Sequence, residues 1–208
     1  YDTQSVVAYF ELPEGRSAAA MLGLAAMVVG PLVFTGFFAR LRGLHLTDFG
    51  VRRANGRYFL YAMVGLSLVL GLGVLIEGLL DAADVERLNN ANEGLLVPDG
   101  PLFFVSLLLV VLLVPFAEEL FFRAALHGAL VRHMPPFVAG LLGAGIFSLV
   151  HTQYLSLGGW AAIAGLFQIF LLGLILVWLY ARSGSIWPPV LLHVTNNAIA
   201  FVAVLYLV

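Results

Sequence analysis

Long, uninterrupted apolar runs constrain this chain more than any other feature. Segments near 17–39, 59–80, 102–131, 136–151, 158–180 and 188–208 are almost wholly hydrophobic, with short polar stretches between them. A transmembrane helix needs about 20 predominantly apolar residues, and most of these runs meet that length. Composition agrees: 62% of the 208 residues are hydrophobic, 11% are charged, and the mean hydropathy is +1.01. A soluble domain carries roughly a quarter charged residues, so a water-soluble globule is excluded. A membrane β-barrel is excluded too, because its strands alternate apolar and polar residues whereas these runs are continuous. The expected fold is all-α, a polytopic bundle of about six transmembrane helices forming one integral membrane domain over 1–208.

The expected helices are Ser17–Ala39, Phe59–Leu80, Leu102–Val131, Pro136–His151, Gly158–Tyr180 and Pro188–Val208. The third is longer than a bilayer core at roughly 1.5 Å per residue, so it must tilt, kink at Pro115 or project. Arg40, Arg42, Arg52, Arg53 and Arg57 crowd the first loop, Arg132 the third connection and Arg182 the fifth. Asp81, Asp84, Glu86, Glu93 and Asp99 dominate the second loop. By the positive-inside rule the odd loops face the cytoplasm and both ends lie outside. The opening segment, YDTQSVVAYFELPEGR, is acidic and does not read as a secretory signal. Small residues at four-residue spacing, Gly140, Ala144 and Ser148 in helix four and Ala161, Gly165 and Gly173 in helix five, read as helix-packing stripes.

Several chemistries are absent from the sequence. It has no cysteine, which removes disulfides, thiolate metal ligands and thiol nucleophiles, and all ten basic residues are arginine, which removes Schiff-base and Ser–Lys catalysis. A net charge of −2 gives no reason to expect a nucleic-acid partner. The partners left are the bilayer and whatever is anchored in it.

Ionisable groups inside membrane segments cost several kcal/mol, so each needs a partner or a function. Helix three contains Glu118, Glu119 and Arg123. Glu119 and Arg123 stand four apart and are expected to form an intramembrane ion pair. Glu118 points about 100° away on an ideal helix and is left without a local counter-charge, the condition of a carboxylate able to take and give a proton. Helix four sets Phe147 and His151 on one face, and helix six sets His193 and Asn197 on one face. Counted from the helix ends, Glu118 and His151 reach similar depths, while helix six must begin deeper or tilt to bring its pair alongside. Asn196 is expected to point elsewhere, Glu77 to reach the interface, Gln168 to bond a neighbouring helix, and His127 to be structural.

In order, these residues spell EExxxR (118–123), FxxxH (147–151) and HxxxN (193–197). On separate membrane helices they resemble the CAAX-processing and bacteriocin-processing (CPBP) family of intramembrane proteases, which includes the type II CAAX prenyl endopeptidases. The resemblance covers residues 102–208. It implies that Glu118 and His151 activate water while His193 and Asn197 stabilise the oxyanion, with Glu119, Arg123 and Phe147 in support. It implies a membrane-anchored peptide or protein substrate, prenylated or leader-like, and a bacterial or archaeal inner membrane with the site open to the cytoplasm. Glu118, His151 and His193 could hold one catalytic zinc, or the site could work without metal; the second is slightly favoured because Asn197 is a poor zinc ligand and a good amide donor. A proton-coupled transporter and a non-catalytic scaffold or immunity protein are the competing readings.

Overall fold

The computed structural model describes residues 13–85, 88 and 101–207. The opening residues of the chain and most of the acidic loop, including Glu86, Glu93 and Asp99, lie outside the described residues.

Among the described residues every regular element is helical. The helices are α1 (Pro13–Arg42), α2 (Gly56–Ala82), α3 (Leu102–Leu130), α4 (Pro136–Leu149), α5 (Gly159–Ser183) and α6 (Trp187–Leu207). The chain is an integral membrane protein, and α1, α2, α3, α5 and α6 are long and apolar enough to cross a bilayer. The expected fourth span is shorter than that: α4 has 14 residues, about 21 Å at the α-helical rise, and gives way to a 3-10 turn at Thr152–Leu157. His151 therefore lies just beyond the helix, where the chain reverses, rather than on its last turn.

Local chemistry sets the boundaries. Asn55 caps α2 by accepting the Arg57 N–H at 3.1 Å. Gly184 ends α5 in the left-handed conformation, φ 64°, its N–H donating to the Tyr180 carbonyl at 2.8 Å. α6 starts with Trp187, Pro188 and Pro189, where missing N–H groups are harmless.

Long α3 does not break at Pro115. It holds together as alternating stretches: α-helix Pro101–Leu108, π-helix Leu109–Leu113, α-helix Val114–Glu118, π-helix Glu119–His127 and a last turn at Gly128–Leu130. π-helical turns are rare and concentrate at functional sites. Here one precedes both glutamates and the other begins at Glu119 itself.

α4 and α5 pack through the small-residue stripes. A Cβ on Gly140 would lie 3.5 Å from Val177, one on Gly173 would lie 3.2 Å from both the Ala144 backbone and the Phe147 ring, and Ser148 Oγ donates to the Leu166 carbonyl at 2.5 Å. Gly165 gives room to the Tyr154 ring. One apolar core joins Ala62, Leu66 and Val69 of α2 to Phe122, Phe147, Leu172, Leu176, Leu179 and Leu192. α1 is mostly peripheral, and its exposed Val29, Val33, Phe34 and Phe37 suit a lipid-facing helix.

At the arginine-rich end, the α1–α2 loop docks on the α5–α6 turn. Arg52 Nε donates to the Gly184 carbonyl at 2.6 Å, Ser185 Oγ to the Arg52 carbonyl at 2.6 Å, and the Ile186 N–H to the Gly50 carbonyl at 3.0 Å. The first and fifth loops thus share one end of the bundle, as their arginines required.

Two expectations about lone polar residues resolve differently. Glu77 is turned inward instead of reaching the interface: Oε1 accepts the Leu88 N–H at 3.1 Å, so the carboxylate ties down the chain after α2. Gln168 does meet a neighbouring helix, its amide lying against Gly73 of α2.

The α4–α5 contact yields a direct test. Gly173→Val, which drives branched carbons into Ala144 and Phe147, is expected to destabilise the protein by about 1–3 kcal/mol in thermal unfolding in micelles. Gly71→Ala on α2, where a Cβ meets nothing within 4 Å, is expected to leave the midpoint unchanged or slightly raised.

Candidate active site

The site is built around a fully buried carboxylate. Glu119 is 0% exposed, and its two oxygens face different partners: Oε2 lies 3.1 Å from Arg123 Nε, and Oε1 lies 2.8 Å from His193 Nδ1. The ion pair with Arg123 is the one the four-residue spacing called for. The bond to His193 is an addition, and it ties α3 to α6 across 74 residues of sequence. Because a carboxylate accepts, the imidazole must donate from Nδ1, which leaves Nε2 as the nitrogen facing Glu118.

Glu118 Oε2 stands 3.6 Å from His193 Nε2. The two adjacent glutamates therefore hold opposite nitrogens of one ring. On an ideal α-helix neighbours point about 100° apart. The change from α- to π-helix falls between them, and both still reach the ring because His193 lies between their side chains on α6. Glu119 alone reaches Arg123, and His193 is a partner that the two glutamates share.

Phe147 is the apolar hub. Its buried ring has the Arg123 guanidinium 4.2 Å from its centroid, His151 at 4.6 Å, Phe122 at 5.1 Å and His193 at 5.7 Å, the three rings edge-on. The cation–π contact gives Arg123 a second partner besides Glu119. His151, though off the helix, stays beside Phe147 because its Nδ1 lies 2.7 Å from the Phe147 carbonyl. A carbonyl can only accept, so Nδ1 carries the hydrogen and Nε2 of a neutral ring can take a proton.

Glu118, His151, His193 and Asn197 line one cavity of about 120 Å³, together with Gln153, Tyr154 and Asn196. That is room for several waters. Its other walls are apolar, from Leu24 and Met27 of α1 to Leu172, Phe201 and Val204. Arg123 and Glu119 sit behind the wall, outside this lining. Asn197 Nδ2 donates to the Val110 carbonyl of α3 at 3.0 Å. Asn196, expected to point elsewhere, also faces the cavity. A helical-wheel argument separates neighbours by 100°, but a cavity spanning several helices is wide enough to collect both. Gln153 and Tyr154 belong to no motif; the turn that closes α4 brings them in, and nothing in their sequence spacing announces it. His127 lies apart, buried and edge-on to Tyr180 at 6.5 Å, consistent with a structural role.

The three residues named as zinc ligands do not form a ligand shell as placed. Among the described residues no three histidines, aspartates or glutamates converge closely enough to hold one metal ion. His193 gives one nitrogen to Glu119 and His151 gives one to a backbone carbonyl.

Comparison with known proteins bears on the stretch that supplies most of this geometry. Residues 100–199 match the family model described as type II CAAX prenyl endopeptidase Rce1-like. All three motifs fall inside that Rce1-like stretch. The chain is also similar to a Bacillus subtilis (strain 168) protein named "Putative membrane peptidase YdiL", 33% identical over 93 residues, which are 45% of this chain and 34% of that protein. The chain thus matches about a third of the length of that curated relative. No solved structure matches the chain.

Removing one member of a buried ion pair strands the other. Arg123→Met is therefore expected to destabilise the protein by about 3–5 kcal/mol, read from thermal unfolding in micelles. Adding Glu119→Gln to it is expected to recover part of the loss. Simple addition of the two single losses would mean that the pair is not coupled.

Proposed function

We propose that this protein is an intramembrane endopeptidase that hydrolyses a peptide bond of a membrane-anchored peptide or protein by attack of an activated water. The observation that carries the reading is the convergence of Glu118, His151, His193 and Asn197, from two helices and a turn, on one mostly apolar cavity. The similarity of residues 100–199 to type II CAAX prenyl endopeptidases and the 33% identity to YdiL support the same reaction class.

The chemistry follows from where protons can sit. Water held between Glu118 and His151 loses a proton to the carboxylate or to His151 Nε2, and its oxygen bonds the substrate carbonyl carbon. The carbonyl π pair moves to oxygen, giving a tetrahedral oxyanion. Collapse re-forms the carbonyl, breaks the C–N bond and returns the proton to the departing amine. His151 is suited to this because its bond to the Phe147 carbonyl fixes the ring and leaves Nε2 free to accept.

The oxyanion needs donors. One Nδ2 hydrogen of Asn197 is given to Val110, and the second is available on the cavity side. His193 serves as a donor only when Nε2 also carries hydrogen; Glu118, Glu119 and Arg123 around it then make the four-residue cluster neutral. Preorganised donors in a water-poor site are worth about 2.7–4 kcal/mol each in transition-state stabilisation.

In this reading the apolar walls accommodate the anchored part of the substrate and keep bulk water out. The protein is a single membrane domain in a bacterial or archaeal inner membrane, with the arginine-rich loops on the cytoplasmic side and the cavity nearer the opposite end of the bundle, beside the α4–α5 turn. No step calls for a metal ion.

The decisive experiment is cleavage of a prenylated or membrane-anchored fluorogenic peptide by purified protein in lipid. Glu118→Gln and His151→Ala are expected to lower kcat by about 10²–10⁴-fold while the unfolding midpoint stays near wild type. A chelator is expected to leave the rate unchanged. Activity lost to chelator and regained with zinc would overturn the metal-free mechanism, and undiminished cleavage by Glu118→Gln would overturn the role of Glu118.

A further inference from the structure

The π-helix at Leu109–Leu113 sets up a problem that Asn197 solves. In it the Val114 N–H donates to the Leu109 carbonyl, five residues back. The next rung of that ladder would run from residue 115 to the Val110 carbonyl. Residue 115 is a proline and has no N–H to give. The Val110 carbonyl is left without a main-chain donor inside an apolar helix, where an unmade hydrogen bond is costly. The Asn197 amide fills the vacancy, with Nδ2 3.0 Å from the Val110 oxygen.

This contact does more than satisfy a carbonyl. An asparagine amide can flip, exchanging its oxygen and nitrogen, and a partner that only accepts selects one of the two orientations. With one Nδ2 hydrogen on Val110, the other remains for the cavity that Asn197 lines beside Glu118, His151 and His193. Pro115 is fully buried and is not among the cavity-lining residues, so it meets no substrate directly.

We propose that Pro115 is a positioning residue: by leaving the Val110 carbonyl without a main-chain donor it fixes the Asn197 amide with its N–H toward the cavity. The structural coupling stands independently of the proteolytic reading; only its effect on turnover rests on that reading.

The test is a double-mutant cycle with two readouts. Pro115→Ala and Pro115→Leu each restore an N–H able to take the Val110 carbonyl, the second with more of the buried volume kept. In thermal unfolding in micelles, Asn197→Ala is expected to lower the midpoint by about 2–6 °C when residue 115 is proline, and by much less when it is alanine or leucine. Equal shifts in all backgrounds would overturn the proposal. So would failure of both Pro115 variants to fold, because the restored main-chain bond should offset the altered packing.

In peptide cleavage, Pro115→Ala is expected to lower kcat about tenfold or more with KM nearly unchanged, and to have no further effect in the Asn197→Ala background. Additive losses of kcat would overturn the catalytic part. If wild-type protein cleaves no peptide, it is the protease reading that fails, and the unfolding cycle still decides whether Pro115 positions Asn197.

Discussion

A carboxylate with no access to water must find its partners inside the protein, and Glu119 finds two. Arg123 supplies charge from the next turn of α3, and the Nδ1 hydrogen of His193 comes from α6. The first is local and holds one helix; the second crosses the bundle. An unpaired charge in the bilayer centre costs at least a few kcal/mol, so these contacts are conditions of insertion as much as of packing. Once they are made, the His193 ring has its tautomer and orientation set, and its other nitrogen faces Glu118. The arrangement beside the cavity follows from satisfying a group that never touches the cavity.

Phe147 plays the complementary part. Arg123, His151, His193 and Phe122 all contact one fully buried ring, so a hydrocarbon surface spaces four groups that could otherwise collapse onto each other. The ring is held by the close approach of α4 and α5, which in turn depends on the absence of a side chain at Gly173. A packing stripe on a lipid-embedded helix is thereby linked to the placement of a histidine.

Much of this could be read in the sequence because the bilayer imposes strong rules. Helix positions followed from apolar run length, the Glu119–Arg123 pair from four-residue spacing, and the α4–α5 interface from small residues. What could not be read depends on departures from the ideal α-helix. The end of α4 at Leu149 was obscured because Val150 and the apolar character before it continue the run, so His151 looked helical. Both glutamates meet one imidazole from another helix, and the spacing along α3 alone does not announce a shared partner. Glu77 looked like a solvated helix end because its partner is a backbone N–H in the following loop, and backbone donors are the same at every position. Asn196 was assigned to another face, and Gln153 and Tyr154 were not singled out, for a similar reason: cavity lining is a property of how several elements converge.

Irregular helix geometry therefore serves both purposes here. In a bilayer, main-chain groups released by a proline or a π-turn have no water to bond, and the nearest polar side chain is drawn to them. The same side chain then arrives in a fixed orientation. Val110 and Asn197 show this on one side of the cavity, and the Phe147 carbonyl and His151 on the other, where the end of α4 leaves a carbonyl for the imidazole to cap. Two polar side chains are thus aimed by unsatisfied backbone instead of by further polar side chains, which a membrane interior could hold only at additional cost. A site built this way needs few charged residues in a membrane interior.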